Sequence, residues 1–208
     1  MNIITIQTGE FLVNTYVVHD KSSKECIIID PGGSFLKIKG ILAEYGLVPK
    51  AVFLTHGHFD HIGAVSSLKE EFDVKVYIHK SDADMLIDGK KNLSIFLYRK
   101  DIFCGEADYL LEDNEQIEIC GLTIKTIHTP GHSPGGVTYL MDGAAFTGDT
   151  LFNMSIGRAD FTGCDASKLN ESLIRIKKEI PKDYKIFPGH GNESSFEYEL
   201  ENNPYLDL

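Results

Sequence analysis

The stretch LTHGHFDHIGA, residues 54–64, gathers His56, His58, Asp60 and His61 within six positions of a chain that has 8 histidines in all. Imidazoles packed this closely without a metal would lose solvation and would repel one another when protonated. On an extended segment, side chains two residues apart point to the same side, so His56 and His58 face one position. Asp60 and His61 lie at a turn into a helix and face a second position nearby. The stretch therefore predicts metal binding.

The segments around this stretch predict an α/β arrangement. AVFLT (51–55) has the pattern of a buried strand, and it lies between helices predicted at about 34–45, ending before Gly46, and at 64–72. The cluster therefore follows the carboxyl end of a strand, where α/β proteins usually place their chemistry. Other predicted elements are strands in NIITIQ, NTYVVHD, ECIIID, KVYIH and YKIF, strands at about 116–119, 122–128, 136–141 and 143–147, a helix at about 166–179, and a mostly helical or irregular segment at 80–104. This mixture indicates mixed β-sheets with helices.

The composition is that of a folded globular protein. Hydrophobic residues make up 42% of the 208 residues and charged residues 25%, and no repeat or low-complexity linker divides the chain. We therefore expect a single domain over 1–208.

The sequence shows no secretory leader and no apolar run of membrane-spanning length, so a cytoplasmic location is the expectation. A net charge of -11 without a basic run argues against nucleic-acid and membrane partners and favours a small-molecule substrate.

Three further candidate ligands occur in glycine-flanked motifs near the predicted ends of other strands. They are His132 in HTPGHSPGG (128–136), Asp149 in FTGDTLF (146–152) and His190 in FPGHG (187–191). Glycine is expected where a tight loop brings the backbone close to a site. Nitrogen and oxygen ligands without thiolate suit Zn²⁺, Fe²⁺ or Mn²⁺, and this set does not choose among them.

The other candidate residues favour structural roles. His19 and His79 lack coordinating neighbours in sequence, and His128 is predicted in the strand before His132, in a supporting or packing role. The four cysteines form no C-x-x-C pair and are expected to be ordinary core or surface residues. Ser133 follows His132, but a histidine that binds metal is not free to act as a general base, so we do not expect a serine triad. The sequence also has no G-x-S-x-G motif and no P-loop.

Five motifs occur over nearly the whole chain, and they are THGHFDHIGA, HTPGHSPGG, FTGDTLF, GRADF (157–161) and FPGHG. In these motifs, which occur in the family's order, the chain resembles the metallo-β-lactamase superfamily, specifically its glyoxalase II-like (hydroxyacylglutathione hydrolase-like) branch. The resemblance implies a four-layer αββα sandwich of two mixed β-sheets flanked by helices, with metals at one edge between the sheets. It also implies the ligands: His56, His58 and His132 for one ion, Asp60, His61 and His190 for a second, and Asp149 between the two.

Such a site predicts a hydrolase with two divalent ions, with Zn²⁺ expected and Fe²⁺ or Mn²⁺ as alternatives. A shared water whose pKa falls toward ~7 would supply a hydroxide nucleophile, with Asp60, His61 and Asp149 as the catalytic side chains around it. A thioester substrate is attractive because a thiol with a pKa of about 8.5 leaves readily. The resemblance implies S-2-hydroxyacylglutathione, typically S-D-lactoylglutathione, and places Arg158 near the substrate's peptide carboxylate. A loop salt bridge is the alternative role for Arg158.

Several alternatives stay open at this stage. Longer glyoxalase II enzymes carry a basic C-terminal helical region, whereas residues 192–208 here are acidic, so a thioester or ester without glutathione is one alternative. A persulfide dioxygenase with one iron on His56, His132 and Asp149 is another. A metal-binding protein without turnover is the third. A true β-lactamase is less favoured, because Asp149 at the bridging position resembles the thioesterase branch.

Overall fold

The protein is described by a computed structural model over residues 1–207, and within that range its first sheet has six strands. The first three strands pair antiparallel and the following ones pair parallel, so the sheet is mixed. In spatial and chain order the strands are β1 (Asn2–Thr8), β2 (Val13–His19), β3 (Glu25–Ile29), β4 (Val48–Phe53), β5 (Lys75–His79) and β6 (Tyr109–Leu111).

The second sheet is built from the other half of the chain. Its strands are β7 (Gln116–Ile119), β8 (Leu122–His128), β9 (Val137–Met141), β10 (Ala144–Gly148), β13 (Lys185–Pro188) and β14 (Ser194–Ser195). They lie in the order β14-β13-β10-β9-β8-β7, and among the described pairings of this second sheet only that of β10 with β13 is parallel. A separate two-stranded hairpin, β11 (Leu151–Phe152) and β12 (Ser155–Ile156), follows β10.

Helices cover the outer faces of both sheets or occupy the loops between strands. The α-helices are α1 (Phe35–Tyr45), α2 (Phe59–Ile62), α3 (Val65–Phe72), α4 (Ser94–Leu97), α5 (Ala166–Glu179) and α6 (Phe196–Asn202), and Lys80–Leu86 and Pro204–Leu206 form 3-10 helices. In the described part of the chain, no helix is both long enough and apolar enough to cross a lipid bilayer.

Three apolar clusters hold the layers together. Along β3, Ile28 points toward α1 and α3, whereas Ile27 and Ile29 point toward the second sheet. This alternation is the two-residue period of a strand that is buried on both faces. The third cluster packs α5 and α6 on the far face of the second sheet. The order helix, sheet, sheet, helix confirms the predicted αββα sandwich.

Local sequence signals explain the best-predicted elements. α5 has the predicted bounds because the Asp165 side chain accepts hydrogen bonds from the amides of Ser167 and Lys168 at its start. α1 ends at Gly46, whose backbone has a positive φ of 62°. The short elements β6, β11, β12, β14, α2 and α6 were not predicted, because each is too short to show a periodic pattern.

Candidate metal centre

The candidate site lies where loops from both sheets meet at one edge. His56, His58, Asp60 and His61 follow β4 of the first sheet. His132 follows β8, Asp149 follows β10 and His190 follows β13 of the second sheet. The structure therefore brings together all seven side chains that the sequence singled out as ligands.

One group of potential ligands consists of His56, His58 and His132. One ring nitrogen from each lies within 4.8 Å of the others, and all three residues are buried. The closest approach joins His58 Nδ1 and His132 Nε2, at 2.9 Å. The orientation of the His132 ring is fixed on the side away from the group, because its Nδ1 donates to the carbonyl oxygen of Arg158 at 2.8 Å. This contact leaves Nε2 of His132 directed into the group.

A second group consists of Asp60, His61 and His190, whose potential ligand atoms also lie within 4.8 Å of one another. His190 Nε2 is 3.4 Å from Asp60 Oδ2, and its Nδ1 donates to the carbonyl oxygen of Phe11 at 3.1 Å. His61 Nε2 is 3.9 Å from Asp60 Oδ2. These three side chains thus present two nitrogens and a carboxylate to one position.

Asp149 lies between the two groups. Its Oδ2 is 3.4 Å from Nε2 of His132 in the first group and 3.6 Å from Nε2 of His190 in the second. Its Oδ1 is 3.5 Å from Nε2 of His61. A single carboxylate therefore reaches both groups, as a bridging ligand must.

The polar atoms of the site fit bound cations. His56 Nε2, His61 Nε2 and Asp149 Oδ1 are fully buried, and none of them has a hydrogen-bond partner among the described residues. Buried polar atoms are nearly always paired in folded proteins, so three unpaired ones at one point indicate a missing partner. Imidazole and carboxylate donors suit Zn²⁺, Fe²⁺ or Mn²⁺. The residues present therefore fit a two-ion centre.

Burial and neighbouring charges shift histidine pKa values in opposite directions in the two groups. Burial, reinforced by the neighbouring imidazoles, lowers the pKa of His56 and His58 well below the ordinary value. Burial alone would also lower the pKa of His61, but Asp149, Asp30 and Asp60 outweigh it and raise that pKa to about 10. Before metal binds, His56 and His58 are thus neutral, whereas His61 holds a proton among carboxylates.

Asp30 supports the site, and sequence reasoning missed it. Its carboxylate accepts hydrogen bonds from His61 Nδ1 at 3.0 Å and from the amide and hydroxyl of Thr55 at 2.8 and 2.6 Å. The Thr55 hydroxyl in turn accepts from His56 Nδ1 at 3.1 Å. Both rings are thereby fixed with Nε2 toward the site. The available signal was an acidic residue at the carboxyl end of the predicted strand ECIIID, directly after β3.

Asp82 is the second residue that sequence reasoning missed. It is fully buried, and it accepts hydrogen bonds from the amide of Gly57 at 3.1 Å, the hydroxyl of Ser133 at 2.6 Å and the amide of Gly135. It thus joins the His56–His58 loop to the loop that carries His132. Nothing in KSDADML (80–86) separates this residue from the exposed Asp84 beside it. The contact also gives Ser133 a structural role, in keeping with the absence of a triad.

The remaining histidines lie outside the site. The His79 and His128 rings stack with centroids 4.0 Å apart, and His128 Nε2 donates to the carbonyl oxygen of Pro134. His19 Nδ1 donates to the carbonyl oxygen of Asp20. None of the three belongs to a group of potential metal ligands in the described residues.

A cavity opens above the two groups of potential ligands, and Arg158 is one of the residues that line it. The Arg158 side chain is exposed. Its guanidinium makes two hydrogen bonds of 2.8 Å to Asp160 and lies 4.0 Å from the centre of the Phe161 ring. The salt-bridged alternative is therefore realised, at a place that borders the site.

Comparisons with known proteins agree with this geometry. The sequence profile of the family described as "Metallo-beta-lactamase superfamily" matches residues 8–190. "Probable metallo-hydrolase YqgX" of Bacillus subtilis is 37% identical over 201 residues, covering 96% of this chain and 94% of that protein. "Probable polyketide biosynthesis zinc-dependent hydrolase PksB" of the same organism is 33% identical over 175 residues, covering 84% of this chain and 71% of that protein.

Solved structures give the same result. BLEG-1, described as a B3 metallo-beta-lactamase, superposes with a TM-score of 0.93 at 36% identity over 100% of both chains. TTHA1623 in a di-iron-bound form superposes with a TM-score of 0.85 at 33% identity, covering 97% of this chain and 99% of that one. ETHE1 from Myxococcus xanthus has a TM-score of 0.82 at 27% identity, with 98% and 84% covered. The chain belongs to the metallo-β-lactamase superfamily.

Proposed function

We propose that the protein is a two-metal hydrolase that acts on a thioester. The observation that carries the proposal is the convergence of seven side chains with nitrogen and oxygen donors, three of whose buried atoms have no hydrogen-bond partner among the described residues. The proposed ligands of the first ion are His56, His58 and His132. Those of the second are Asp60, His61 and His190, and Asp149 contacts both ions.

The proposed ions are Zn²⁺, with Fe²⁺ as the main alternative and Mn²⁺ as a further one. PksB, described as zinc-dependent, supports the first, and the di-iron form of TTHA1623 supports the second. When bound, two such ions supply a nucleophile from water at neutral pH and a Lewis acid for the substrate carbonyl.

The protein's own side chains hold and neutralise the reacting groups. Burial by itself would raise the pKa of Asp60, but His61, His190 and His58 lower it below its ordinary value, so Asp60 is ionised at neutral pH. Asp60, and Asp149 beside it, thus place carboxylate oxygens at the centre of the site, where they can accept hydrogen bonds from water and orient it. His61, held by Asp30, fixes the spacing of these two carboxylates.

A thioester suits a site that lacks a separate general acid. The only non-ligand titratable side chain that lines the cavity, within residues 1–207, is Arg158, which keeps its proton. A thiol with a pKa of about 8.5 leaves as the thiolate, whereas an alkoxide or amine needs a proton. The motif resemblance to the glyoxalase II-like branch supports S-D-lactoylglutathione or a related thioester as the substrate.

Arg158 is the proposed contact for a polar group of the substrate at the mouth of the cavity. Its two hydrogen bonds to Asp160 are exposed to water, where such pairs are weakly held. A substrate carboxylate can therefore share or replace this partner.

Two other activities are alternatives to thioester hydrolysis. β-Lactam hydrolysis is supported by the 36% identity to BLEG-1. A persulfide dioxygenase with one iron on His56, His132 and Asp149 is supported by the likeness to ETHE1. The second group of ligands favours two ions over one, and therefore hydrolysis over dioxygenation.

The experiment that tests the proposal measures metal content and turnover on the same preparation. We expect close to two ions per chain, and hydrolysis of S-D-lactoylglutathione or of other thioesters that is lost in Asp149→Asn. A preparation that turns over nitrocefin but no thioester, or that holds one iron and consumes oxygen with glutathione persulfide, would replace the proposal with the matching alternative. Equal inactivity of the wild type and the variant toward all these compounds would indicate a binding protein.

A further inference from the structure

The cavity above the ligands has walls that are mostly apolar. It has a volume of about 360 Å³, in the range of small-molecule sites. Its floor includes five of the seven proposed ligands, so whatever occupies it touches the reacting centre. Its walls are formed by Phe11, Phe59, Leu93, Leu97, Phe152 and Phe161.

Two of these wall residues are partly exposed where they line the cavity. Phe11 is 45% exposed and Leu97 is 51% exposed, and they border the same opening. Contiguous exposed apolar surface beside a polar site usually marks a place where an apolar group binds. The two side chains therefore indicate an apolar portion of the substrate.

The apolar wall is also held in place. The rings of Phe11 and Phe59 meet edge to face with centroids 5.3 Å apart, and the Phe59 and Tyr98 ring centroids are 5.8 Å apart. The Tyr98 hydroxyl donates to Glu10 Oε1 at 2.6 Å, which joins the α4 segment to the turn between β1 and β2. The side chains that fix this part of the wall thus come from three separate parts of the chain: the β1–β2 turn, α2 and the residue after α4.

The charges of the cavity argue against a strongly anionic substrate. Apart from the proposed histidine ligands, Arg158 is the only basic side chain among the described residues that line it, and Asp160 neutralises that charge. Glutathione carries two carboxylates at neutral pH, and both would compete with Asp160 for the one guanidinium that lines the cavity. A neutral thiol and an apolar acyl group match the lining better.

We propose, resting on the proposed thioesterase function, that the substrate is an apolar acyl thioester whose acyl chain lies between Phe11, Leu97 and Phe161. The carbonyl carbon is placed over the ligands and the chain extends along the wall. Each methylene added to the acyl group buries more apolar surface against the wall, so the specificity constant rises with chain length until the cavity is filled.

The first test is a series of N-acetylcysteamine thioesters with acetyl, butanoyl, hexanoyl, octanoyl and D-lactoyl groups, assayed with the metal-loaded protein. We expect kcat/KM to rise about two- to fourfold per methylene from acetyl to hexanoyl, and hexanoyl to exceed D-lactoyl. A flat series, or a preference for D-lactoyl, would overturn the inference while leaving the thioesterase function in place.

Matched variants connect the effect to the wall. Leu97→Ser is expected to reduce the hexanoyl to acetyl ratio of kcat/KM by about threefold or more. Leu36→Ser changes an exposed leucine on α1, remote from the cavity lining, and should leave that ratio unchanged. Equal thermal unfolding midpoints for the two variants would exclude a folding defect. An unchanged ratio in Leu97→Ser contradicts the assignment of this wall.

A binding measurement separates this inference from the proposed function. Calorimetric titration of the metal-loaded protein with acetate, butanoate and hexanoate requires no turnover. We expect hexanoate to bind at least about tenfold more tightly than acetate, and Leu97→Ser to remove most of that difference. If no thioester is hydrolysed and this preference is present, the proposed function fails and the apolar acyl site stands. Equal affinities overturn the site.

Discussion

Asp30 Oδ2 and His61 Nδ1 form a buried hydrogen bond of 3.0 Å, which leaves His61 Nε2 facing Asp149 Oδ1 at 3.5 Å. The proton on Nδ1 determines which nitrogen is free to bind a metal. Asp30 also accepts two hydrogen bonds from Thr55, so its position is fixed independently of His61. The orientation of the His61 ring is therefore set from outside the ligand group.

Asp30→Asn should weaken metal binding at the second group. The amide keeps the size of the side chain and tolerates the positive φ of 48° at this position, but it is a poorer acceptor for His61. We expect about a 10- to 100-fold loss of affinity for the more weakly bound ion, measured by chelator competition. Asp183→Asn, at an exposed position, is the control. Equal affinities in the two variants would mean that Asp30 does not orient the ligand.

Gly189→Ala should displace the carboxylate between the two groups. A Cβ at this position would lie 2.2 Å from Asp149 Oδ1 and 2.8 Å from His61 Cε1, so one of these side chains must move. A displacement of about 1 Å at a reacting centre commonly reduces turnover about 100-fold, and kcat/KM for the best thioester measures it.

The matched substitution for that variant is Gly40→Ala within α1. A Cβ there meets no atom within 4 Å. We expect unchanged activity and a free energy of unfolding about 0.5–1 kcal/mol higher, measured in urea, because alanine favours the helix. Retention of full activity in Gly189→Ala would show that Asp149 tolerates displacement.

The metal-free protein should lose stability as the pH rises. Burial opposes protonation of His61, but Asp149, Asp30 and Asp60 raise its pKa from 6.5 to about 10 in the folded state. The folded chain therefore holds a proton that the unfolded chain releases above pH 6.5. The stabilisation is complete below that pH and disappears as the pH approaches 10.

Urea unfolding midpoints of chelator-treated protein between pH 6 and 9.5 measure this effect. The metal-loaded protein should not show the decline, because bound ions replace the proton and bind more tightly as ligands deprotonate. A midpoint that is independent of pH in the metal-free protein would contradict a protonated His61.

His58→Ala should remove one ion without unfolding the chain. His58 lies in the loop between β4 and α2, outside the three apolar clusters. We expect the metal content to fall from about two ions to about one, and kcat/KM to fall by more than about 100-fold. This loss of activity exceeds the loss that follows when a residue that only supports a ligand is removed, which is about 10- to 100-fold. His19→Ala is the control. A His58→Ala protein with two ions and normal turnover would exclude His58 as a ligand.

The sequence predicted the parts of this protein that short-range patterns encode. β5 and α5 have the predicted bounds because a buried strand and a capped amphipathic helix each leave a periodic pattern. The H-x-H-x-D-H cluster was visible because its side chains are adjacent in the chain. The glycines beside His132, Asp149 and His190 identified the distant ligands.

What the sequence did not reveal depends on contacts between distant segments. Asp82 lies two residues before the exposed Asp84, from which sequence does not distinguish it, and only the fold places it against Gly57 and Ser133. Residues 192–208 were interpreted as an acidic tail. In the structure Glu199 is fully buried in α6 and accepts hydrogen bonds from the backbone amide of Met154 and the side-chain amide of Asn203. Its side chain therefore supports the β11–β12 region instead of facing a substrate.

The proposed ligands follow strands of both sheets, four in the loop and short helix α2 after β4 and three in loops of the second sheet. A bound pair of ions would therefore act as a cross-link between two halves of the chain that otherwise meet through apolar packing and hydrogen bonds such as those of Asp82. Separation of the sheets would break the centre, so every increase in metal affinity opposes that opening by mass action. Four of the seven ligands are adjacent in the chain, but neither group is complete without a residue of the second half, since His132 lies 74 residues after His58. A complete two-ion centre therefore requires that the two sheets have docked.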